Sequence, residues 1–368
     1  MPSLRILSNL RSSVVEEKPA DQVLLFTSRL GDSDAALSTS PTVLPFTWPR
    51  LLRAIARPDL ELLEVAEPLW LAEWVRALRY VVLLKVLRRL LPGRSRVAVA
   101  TYAIENLDVR ERLSFPSLDS RPRLGAVATA AVTRAVGVSL LTLDLVAFGT
   151  TGASENYRRA FGWTLRRTTH AVLPPQLGPC RVCGPDAARA THRDPTVLFL
   201  GAPSERKGFP VLLSAWVASA AAEGGWSLLV PDPDGAGAPE LPPGVAVRSP
   251  TREAVHEMLR AAAVVVMPSV RRPRWREQIG LPLVEGLAHG CRVVTTTETG
   301  LADDLREHPL VTLTTPGDAR SLGDGLRAAM DAVDAGPAGA PGPERGGWSK
   351  RDVVGWWLSA RSRGPAGR

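Results

Sequence analysis

The chain of 368 residues has few cysteines, few aromatic side chains and no long uncharged run. Three cysteines cannot form a disulfide framework, and so few of them suit a reducing cytoplasm. No uncharged run reaches the roughly twenty residues that a spanning helix needs. The first residues also lack an apolar stretch followed by a cleavage site, so we expect no secretory signal. These absences favour a cytoplasmic protein with an ordinary core.

Lysine is also scarce, although the chain is basic. The net charge is +8, and only four of the 45 basic residues are lysines. Abundant arginine alongside alanine, glycine and proline is typical of a GC-rich genome. A basic chain favours anionic partners such as nucleotides, anionic lipid surfaces or nucleic acid. Because the arginines are dispersed and no nucleic-acid motif occurs, we expect no nucleic-acid partner.

The second half of the sequence alternates short apolar runs with helical periodicity. This alternation is typical of βαβ units in a parallel sheet, where ligands bind at the carboxyl ends of the strands. The predicted strands cover 196–200, 226–230, 245–247, 264–267, 292–296 and 310–313. The predicted helices cover 207–222, 253–262, 282–289 and 318–333.

The first half also has an α/β pattern, although its elements are less distinct. We predict strands at 22–27, 60–65, 96–101, 139–143 and 170–173, and a long helix at 71–91. The whole chain is then expected to be α/β with two Rossmann-like domains. The predicted divisions are an N-terminal domain 1–173, a linker 174–194 rich in Pro, Gly and Arg, a C-terminal domain 195–335, and a terminal helix 348–362.

The first candidate site is the loop from Gly201 to Gly208, which joins a strand end to a helix start. Backbone N–H groups and the helix dipole favour an anion at such a point, and Arg206 and Lys207 add two cations there. A lysine in a chain that otherwise uses arginine suggests a compact charge for a phosphate. The alternative is a solvated basic pair in a loop.

The second candidate site is the segment from Glu277 to Glu285. Gly280 precedes a helix that opens with Pro282, so the amides that follow Gly280 can face a phosphate. Both carboxylates can point toward the strand ends, and carboxylates accept hydrogen bonds from sugar hydroxyls. The alternative is that glutamate at a helix N-terminus is simply favoured by the helix dipole.

Two further patterns suggest metal ligands only weakly. Asp232 and Asp234 form an Asp-x-Asp pair, but aspartate, proline and glycine are ordinary turn residues. Cys180 and Cys183 form a CxxC pair, and a zinc site would need a second ligand pair, which the sequence spacing does not provide. We therefore expect no metal and two free thiols in the linker. His289, before a glycine, is expected to cap a helix.

Three segments carry a resemblance to a known family. They are LFLGAPSERKGFPVLLSAW, AAAVVVMPSV and EQIGLPLVEGLAHGCRVVTTTETGLADDL. Their order and spacing resemble the nucleotide-sugar domain of family-four retaining glycosyltransferases, and Glu277 and Glu285 match the E-x7-E signature of that family. The resemblance implies a GT-B fold, in which two Rossmann-like domains face a central cleft. The terminal helix resembles the one that crosses back onto the N-terminal domain.

The resemblance also implies roles for individual residues. Lys207, with Arg206, would neutralise the leaving diphosphate, Glu277 would contact hydroxyls of the donor sugar, and Glu285 would accept from the ribose hydroxyls. The phosphates would lie near Gly201 and face the amides of Ile279, Gly280 and Leu281. Fixed cations and helix dipoles would stabilise the charge, so no metal and no cofactor beyond the donor substrate is expected. The reaction would retain anomeric configuration without an enzymic nucleophile.

The sequence departs from the family pattern in two places. Ala202 stands where many members carry an arginine, and Arg206 is expected to supply that charge. The N-terminal half lacks the usual glycine-rich opening loop and the histidine near the donor sugar. Glu105 and Asn106, after a predicted strand, could take that place, or they could serve a turn or helix start. A non-catalytic GT-B module that binds a sugar nucleotide or a protein is therefore the alternative function.

The acceptor is expected to be a hydroxyl group on a saccharide, a lipid-linked molecule or a small molecule. The helix predicted at 71–91 is apolar and cationic, which would suit an anionic membrane surface. Its cations lie all around the helix, however, so a packed helix with snorkelling side chains is the alternative. Those cations are Arg76, Arg79, Lys85, Arg88 and Arg89. We expect a cytoplasmic enzyme with access to the inner face of the membrane.

Overall fold

The structure of the protein is a computed structural model that describes residues 3–29, 40–90, 96–175, 179–180, 182–184, 186–187, 193–231, 241–248, 251–335 and 350–362. The chain forms two compact units. One comprises Met1–Leu173 together with Ser349–Arg368, and the other comprises Pro174–Trp348. The helix near the C-terminus thus groups with the N-terminal unit.

The N-terminal unit is built on a seven-stranded parallel sheet. Its strands are β1 (Ser3–Leu10), β2 (Val23–Arg29), β3 (Val43–Pro45), β4 (Leu62–Val65), β5 (Ala98–Ala103), β6 (Leu145–Phe148) and β7 (Thr169–Val172). They lie in the order β3-β2-β1-β4-β5-β6-β7. All four residues of β4 and of β6 are buried, as expected for parallel strands covered on both faces.

Seven helices accompany this sheet among the described residues. They are α1 (Ser12–Glu17), α2 (Trp48–Ile55), α3 (Leu71–Leu90), α4 (Val109–Arg112), α5 (Pro122–Ser139), α6 (Thr151–Leu165) and α11 (Lys350–Ser362). Threonine side chains cap two of them: Thr47 accepts from the Arg50 amide, and Thr150 accepts from the Ala153 amide. Trp74 of α3 and Trp357 of α11 are fully buried, so both helices contribute large side chains to the core.

One predicted strand of this unit is wrong. Residues 139–143 are not a strand; they form the end of α5 and a 3-10 turn, Leu140–Thr142. The strand is β6, which begins after Asp144. Two apolar runs flank that aspartate, and the second one supplies the strand. The prediction also overlooked β1, in which Arg5 interrupts the apolar pattern and pairs with the buried Glu64 at 3.1 Å.

Helix α5 is strongly apolar although it contains Arg123 and Arg134. Because these arginines interrupt the uncharged run, the absence of a long uncharged run did not reveal how apolar this helix is. By length and composition alone, Pro122–Thr142 could cross a membrane, with a mean hydropathy of 1.6 over a window that is 22% buried.

The C-terminal unit is built on a six-stranded parallel sheet. Its strands are β8 (Asp194–Phe199), β9 (Ser227–Pro231), β10 (Val245–Arg248), β11 (Ala262–Met267), β12 (Arg292–Thr296) and β13 (Val311–Thr314), in the order β10-β9-β8-β11-β12-β13. Its helices are α7 (Phe209–Ser219), α8 (Arg252–Ala261), α9 (Leu281–Ala288) and α10 (Ala319–Asp334). Each predicted element of this half is present, with boundaries that differ by at most a few residues.

The strand order of the C-terminal unit reverses between β8 and β11. Successive connections from β8 run in one direction across the sheet, and the chain then returns to place β11 beside β8. The crevice outside the carboxyl ends of two such strands is where open α/β sheets bind ligands. The loops that follow β8 and β11 therefore hold the residues of interest.

Candidate functional site

A lysine and a glutamate meet at the carboxyl ends of β8 and β11. Lys207 Nζ lies 2.5 Å from Glu277 Oε2, and the two side chains are 14% and 12% exposed. Ser269, two residues beyond the end of β11, donates its hydroxyl hydrogen to the same Oε2 at 3.2 Å. The structure thus brings together one predicted residue from each candidate segment, and it adds Ser269, which the sequence analysis missed.

Two glycines shape the loop that carries Lys207. Gly208 has a φ of 71°, and an added Cβ would lie 1.9 Å from the carbonyl oxygen of Pro268. Gly201 has a φ of 146°, a backbone angle that residues with a side chain rarely adopt. The Val270 amide also donates to the Arg206 carbonyl at 3.0 Å. Close backbone approach therefore holds the loop after β8 against the loop after β11 and fixes Lys207 near Glu277.

The side chain of Arg206 has a different partner from that of Lys207. Its guanidinium lies over the ring of Trp275, 5.0 Å from the ring centre, which is a cation–π contact. The neighbouring Glu205 pairs with Arg272 at 3.0 Å. Arg206 therefore adds positive charge to the basic loop before Glu277, with its guanidinium on the ring of Trp275.

The N-terminus of α9 requires glycine at its cap. Gly280 has a φ of 80°, and an added Cβ would lie 2.5 Å from Met267 Cε and 2.8 Å from Thr299 Cγ2. The helix begins at Leu281, so the predicted amides occupy the turn where helical N–H groups lack intrahelical acceptors. Those amides belong to Ile279, Gly280 and Leu281. This backbone suits an anion.

Glu285 lies within α9 and is held by a second helix. Its Oε1 is 2.7 Å from the Nη2 of Arg252, the first residue of α8, and the two side chains are 22% and 15% exposed. The ion pair orients the Glu285 carboxylate. Arg252 could not be found from the sequence, because only the tertiary packing of α8 and α9 brings it to Glu285.

In the N-terminal unit, Glu105 has the partners of a turn residue. Its Oε1 accepts from the Leu107 amide at 3.1 Å, and its Oε2 pairs with Arg112 Nε at 3.1 Å. Asn106 donates to the Ile104 carbonyl and accepts from Thr150 at 2.8 Å. These contacts agree with the turn alternative, and a direct role of Glu105 in catalysis stays a prediction.

Glu67 is a buried carboxylate that the sequence analysis missed. It accepts from the amides of Ile104 and Glu105 and from the hydroxyl of Tyr157, each at 2.9 Å. Burial and the nearby Glu105 carboxylate raise the pKa of Glu67 to about 8, against the opposite effect of the three donors. Glu67 organises the loop after β5.

A small cavity lies at the carboxyl ends of β1 and β4, where the strand order of the N-terminal sheet reverses. Its polar lining includes Ser8 and Glu73, which are hydrogen bonded to each other, and Arg76, which pairs with Glu73 at 2.7 Å. Tyr80 completes that side. This group could not be predicted without β1, which carries Ser8.

The predicted metal candidates have different outcomes. Asp232 and Asp234 lie outside the described residues. The CxxC pair has the second ligand pair that sequence spacing did not reveal: the ligand atoms of Cys180, Cys183, His256 and His289 all lie within 4.8 Å of one another. His289 is also the predicted cap of α9, and its Nδ1 lies 2.7 Å from the Glu285 carbonyl.

The two parallel-sheet α/β units match a GT-B fold. The solved structures similar to this chain share that fold. HepE of Anabaena in complex with UDP and glucose is 15% identical, with a TM-score of 0.60, over 99% of this chain and 100% of that one. A glycosyltransferase from Rickettsia africae is 11% identical, with a TM-score of 0.60, over 98% of each chain. A UDP-forming α,α-trehalose-phosphate synthase from Burkholderia xenovorans in complex with glucose-6-phosphate is 12% identical, with a TM-score of 0.57, over 99% of this chain and 100% of that one.

The C-terminal unit also matches a sequence family. Residues 194–332 match the family model described as glycosyl transferases group 1. The match covers β8 to α10 and contains both candidate segments. No curated protein matches the chain.

Proposed function

We propose that this protein is a retaining, metal-independent glycosyltransferase of family four that moves a sugar from a nucleotide-diphosphate sugar to a hydroxyl acceptor. The observation that carries the proposal is the Lys207–Glu277 pair at the β8/β11 reversal, within the segment that matches the group 1 model. Two structural relatives support a sugar-nucleotide donor: HepE, solved with UDP and glucose and with UDP-glucose, and the trehalose-phosphate synthase described as UDP-forming.

In the proposed donor site, each side chain has one task. Lys207 neutralises charge on the diphosphate as the bond to the anomeric carbon breaks. Glu277 accepts hydrogen bonds from the donor sugar, and its contact with Lys207 couples the sugar to the leaving group. Glu285, oriented by Arg252, accepts from the ribose hydroxyls. The amides at the start of α9 face the phosphates.

We propose that the acceptor oxygen attacks the face of the sugar from which the diphosphate leaves, and that a leaving phosphate oxygen takes the acceptor proton. No side chain then forms a covalent bond with the sugar. The lysine and the N-terminus of α9 supply fixed positive charge where negative charge develops, which supports a reaction without a divalent ion.

We propose that the acceptor binds mainly to the N-terminal unit, at the cavity lined by Ser8, Glu73, Arg76 and Tyr80. The cavity lies at the carboxyl ends of β1 and β4 and offers charged groups beside an aromatic ring. This combination suits a hydroxylated acceptor, whether a saccharide, a lipid-linked molecule or a small molecule.

We further propose a cytoplasmic location with peripheral contact to an anionic membrane surface. Helix α5 supports this contact, because Leu124 and Val127 are 49% and 67% exposed near its arginine-flanked start. Helix α3 supports it less, since Lys85 binds the Thr142 carbonyl and Arg88 binds the Ile55 carbonyl. Vesicle flotation tests the contact: the wild type should float with anionic vesicles and Val127→Asp should not. Equal flotation of both proteins would contradict it.

The donor site is tested by calorimetry with UDP, GDP, ADP and TDP, followed by a donor-hydrolysis assay. One diphosphate should bind, and its sugar conjugate should be turned over. Glu285→Gln should weaken binding of the ribonucleotide more than binding of its dideoxyribose analogue, because only the former offers the hydroxyls. Equal losses of affinity for the two nucleotides would contradict a contact between Glu285 and the ribose hydroxyls. Binding of no diphosphate would contradict the proposed donor class.

A non-catalytic GT-B module is the second candidate. Ala202 favours it, because many members of the family that the sequence resembles carry arginine at this position, three residues beyond the end of β8 and next to Gly201 of the proposed phosphate site. Nucleotide binding without turnover of any sugar nucleotide, with or without acceptors, would select the module over the enzyme.

A further inference from the structure

Two cysteines and two histidines meet on the C-terminal unit, and none of them belongs to the Lys207–Glu277 pair. We propose that Cys180, Cys183, His256 and His289 bind one zinc ion that is structural rather than catalytic. The four residues come from three places: the segment before β8, helix α8, and the residue that follows α9. The proposal is independent of the glycosyltransferase reaction.

The distances between ligand atoms fit a tetrahedral ion. Zn–S bonds of about 2.3 Å and Zn–N bonds of about 2.0 Å at tetrahedral angles place sulfur and nitrogen about 3.5 Å apart, and two nitrogens about 3.3 Å apart. His256 Nδ1 lies 3.7 Å from both Cys180 Sγ and Cys183 Sγ, and 3.4 Å from His289 Nε2. These three distances are close to those of a tetrahedral ion, and all four ligand atoms lie within 4.8 Å of one another.

A backbone hydrogen bond closes a turn between Cys180 and Gly184. The Gly184 amide donates to the Cys180 carbonyl at 2.8 Å, and Gly184 has a φ of 78° that a glycine adopts without strain. The turn brings both sulfurs to the same side, facing the imidazoles. The Cys180 amide donates to the Ala288 carbonyl at 2.8 Å, which aligns the turn with the end of α9.

The surrounding contacts prepare the ligands for a cation. His289 Nδ1 lies 2.7 Å from the Glu285 carbonyl, which accepts its hydrogen, so the lone pair of Nε2 faces the cluster. Arg260 donates to Cys183 Sγ at 3.5 Å, which stabilises a thiolate. Both histidines are buried, at 6% and 1% exposed. Outer contacts of this kind are typical of metal ligands.

The ligand set selects zinc and a structural role. Two thiolates and two imidazoles in tetrahedral geometry are typical of structural Zn²⁺, whereas catalytic zinc keeps a position open for water. On binding, each cysteine loses its thiol proton to solvent and its sulfur bonds to the metal. The ion would join the segment that carries the two cysteines to α8 and to the residue that follows α9.

This proposal departs from the sequence-based expectation of no metal. That expectation considered spacing along the chain, where the second ligand pair is far away: Cys183 and His256 are separated by 73 positions, and His256 and His289 by 33. The fold, and not the sequence spacing, supplies the pair.

Elemental analysis of the full-length protein, purified without chelator, tests the site. We expect one equivalent of zinc per chain. Cobalt exchanged into the same protein should give the visible absorption of a tetrahedral site with sulfur ligands. Cys183→Ser and His289→Gln should reduce the bound zinc to near zero, and the cobalt spectrum should be lost or shifted. The proposal would be overturned if the wild-type protein contained less than one equivalent of zinc both after purification and after refolding in the presence of zinc.

Two control variants separate the site from general effects of substitution. Cys291→Ala removes the remaining cysteine, whose thiol donates to the carbonyl of Leu259 at 3.2 Å and lies outside the four-residue cluster. His170→Gln removes a histidine of the N-terminal unit. Both should keep one equivalent of zinc, and its loss in either control would contradict the assignment. Mass spectrometry of the freshly purified protein, prepared without added oxidant or reductant, detects any disulfide. A disulfide between Cys180 and Cys183 would overturn the zinc site.

Discussion

The lysine of the proposed donor site gives the sharpest test, because its removal has separable effects on folding and on chemistry. In Lys207→Ala, Glu277 keeps the hydrogen bond from Ser269 but loses its cation. The carboxylate is 12% exposed, so we expect a stability loss of about 1–3 kcal/mol, smaller than for a fully buried pair. Most of the protein should therefore stay folded.

The effect on chemistry should be larger. A cation about 4 Å from a phosphate charge in a site near the protein surface contributes about 4 kcal/mol. Only the part that grows as the diphosphate leaves accelerates the reaction, so we expect turnover to fall by about 10²–10³-fold. Affinity for the nucleoside diphosphate should fall more than affinity for the monophosphate, since Lys207 addresses the leaving phosphate.

The assay combines steady-state turnover with urea unfolding of the same preparations. Lys85→Ala is the matched control, because Lys85 lies on α3 and donates to the Thr142 carbonyl at 3.2 Å. It should retain wild-type turnover. If Lys207→Ala retained wild-type turnover, or lost turnover only in proportion to its unfolded fraction, the assignment of the diphosphate to Lys207 would be refuted.

Two further predictions concern stability. Gly208→Ala would place a Cβ 1.9 Å from the Pro268 carbonyl oxygen at a φ of 71°, so the free energy of unfolding in urea should fall by at least about 2 kcal/mol. The control is Gly162→Ala in α6, where no atom lies within 4 Å of the added carbon and no loss of stability is expected. Equal losses in the two variants would contradict the close approach of Gly208 to Pro268. Burial and Glu105 raise the folded-state pKa of Glu67 to about 8, above its usual value of 4.5, so the folded state binds more protons and the free energy of unfolding should fall as pH rises from about 4.5 to 8. In Glu67→Gln the free energy of unfolding should fall less steeply with pH across this range than in the wild type. The same slope in both proteins would show that another group causes the pH dependence.

The C-terminal unit was predictable because its sequence patterns are local. Strand β11 is buried at all six positions, and an uninterrupted apolar run predicts such a strand whatever surrounds it. Helix α7 was placed two residues too early, since Gly208 turns the chain at a positive φ that the apolar periodicity does not reveal. Lys207 and Glu277 could be assigned to one site in advance because both follow strands whose ends meet, whereas their direct contact could not.

Features that depend on tertiary packing could not be predicted. The error at 139–143 arose from two adjacent apolar runs, and Asp144 between them is fixed by a distant contact, the Val99 amide at 3.0 Å. The Arg252–Glu285 pair depends on how α8 and α9 approach each other. No spacing rule along the sequence expresses such contacts.

The grouping of α11 with the N-terminal unit has a practical consequence for dissecting the molecule. Trp357 is fully buried, as are Val353 and Val354, and α11 contacts β6 of that unit. A chain that ends at residue 173 would therefore lack the buried Trp357 side chain. Its free energy of unfolding should be lower by about 3–5 kcal/mol, by analogy with truncation of a large core side chain. The segment 174–348 is continuous and can be excised with two cuts, whereas its counterpart must be rejoined across the gap before it can be studied alone.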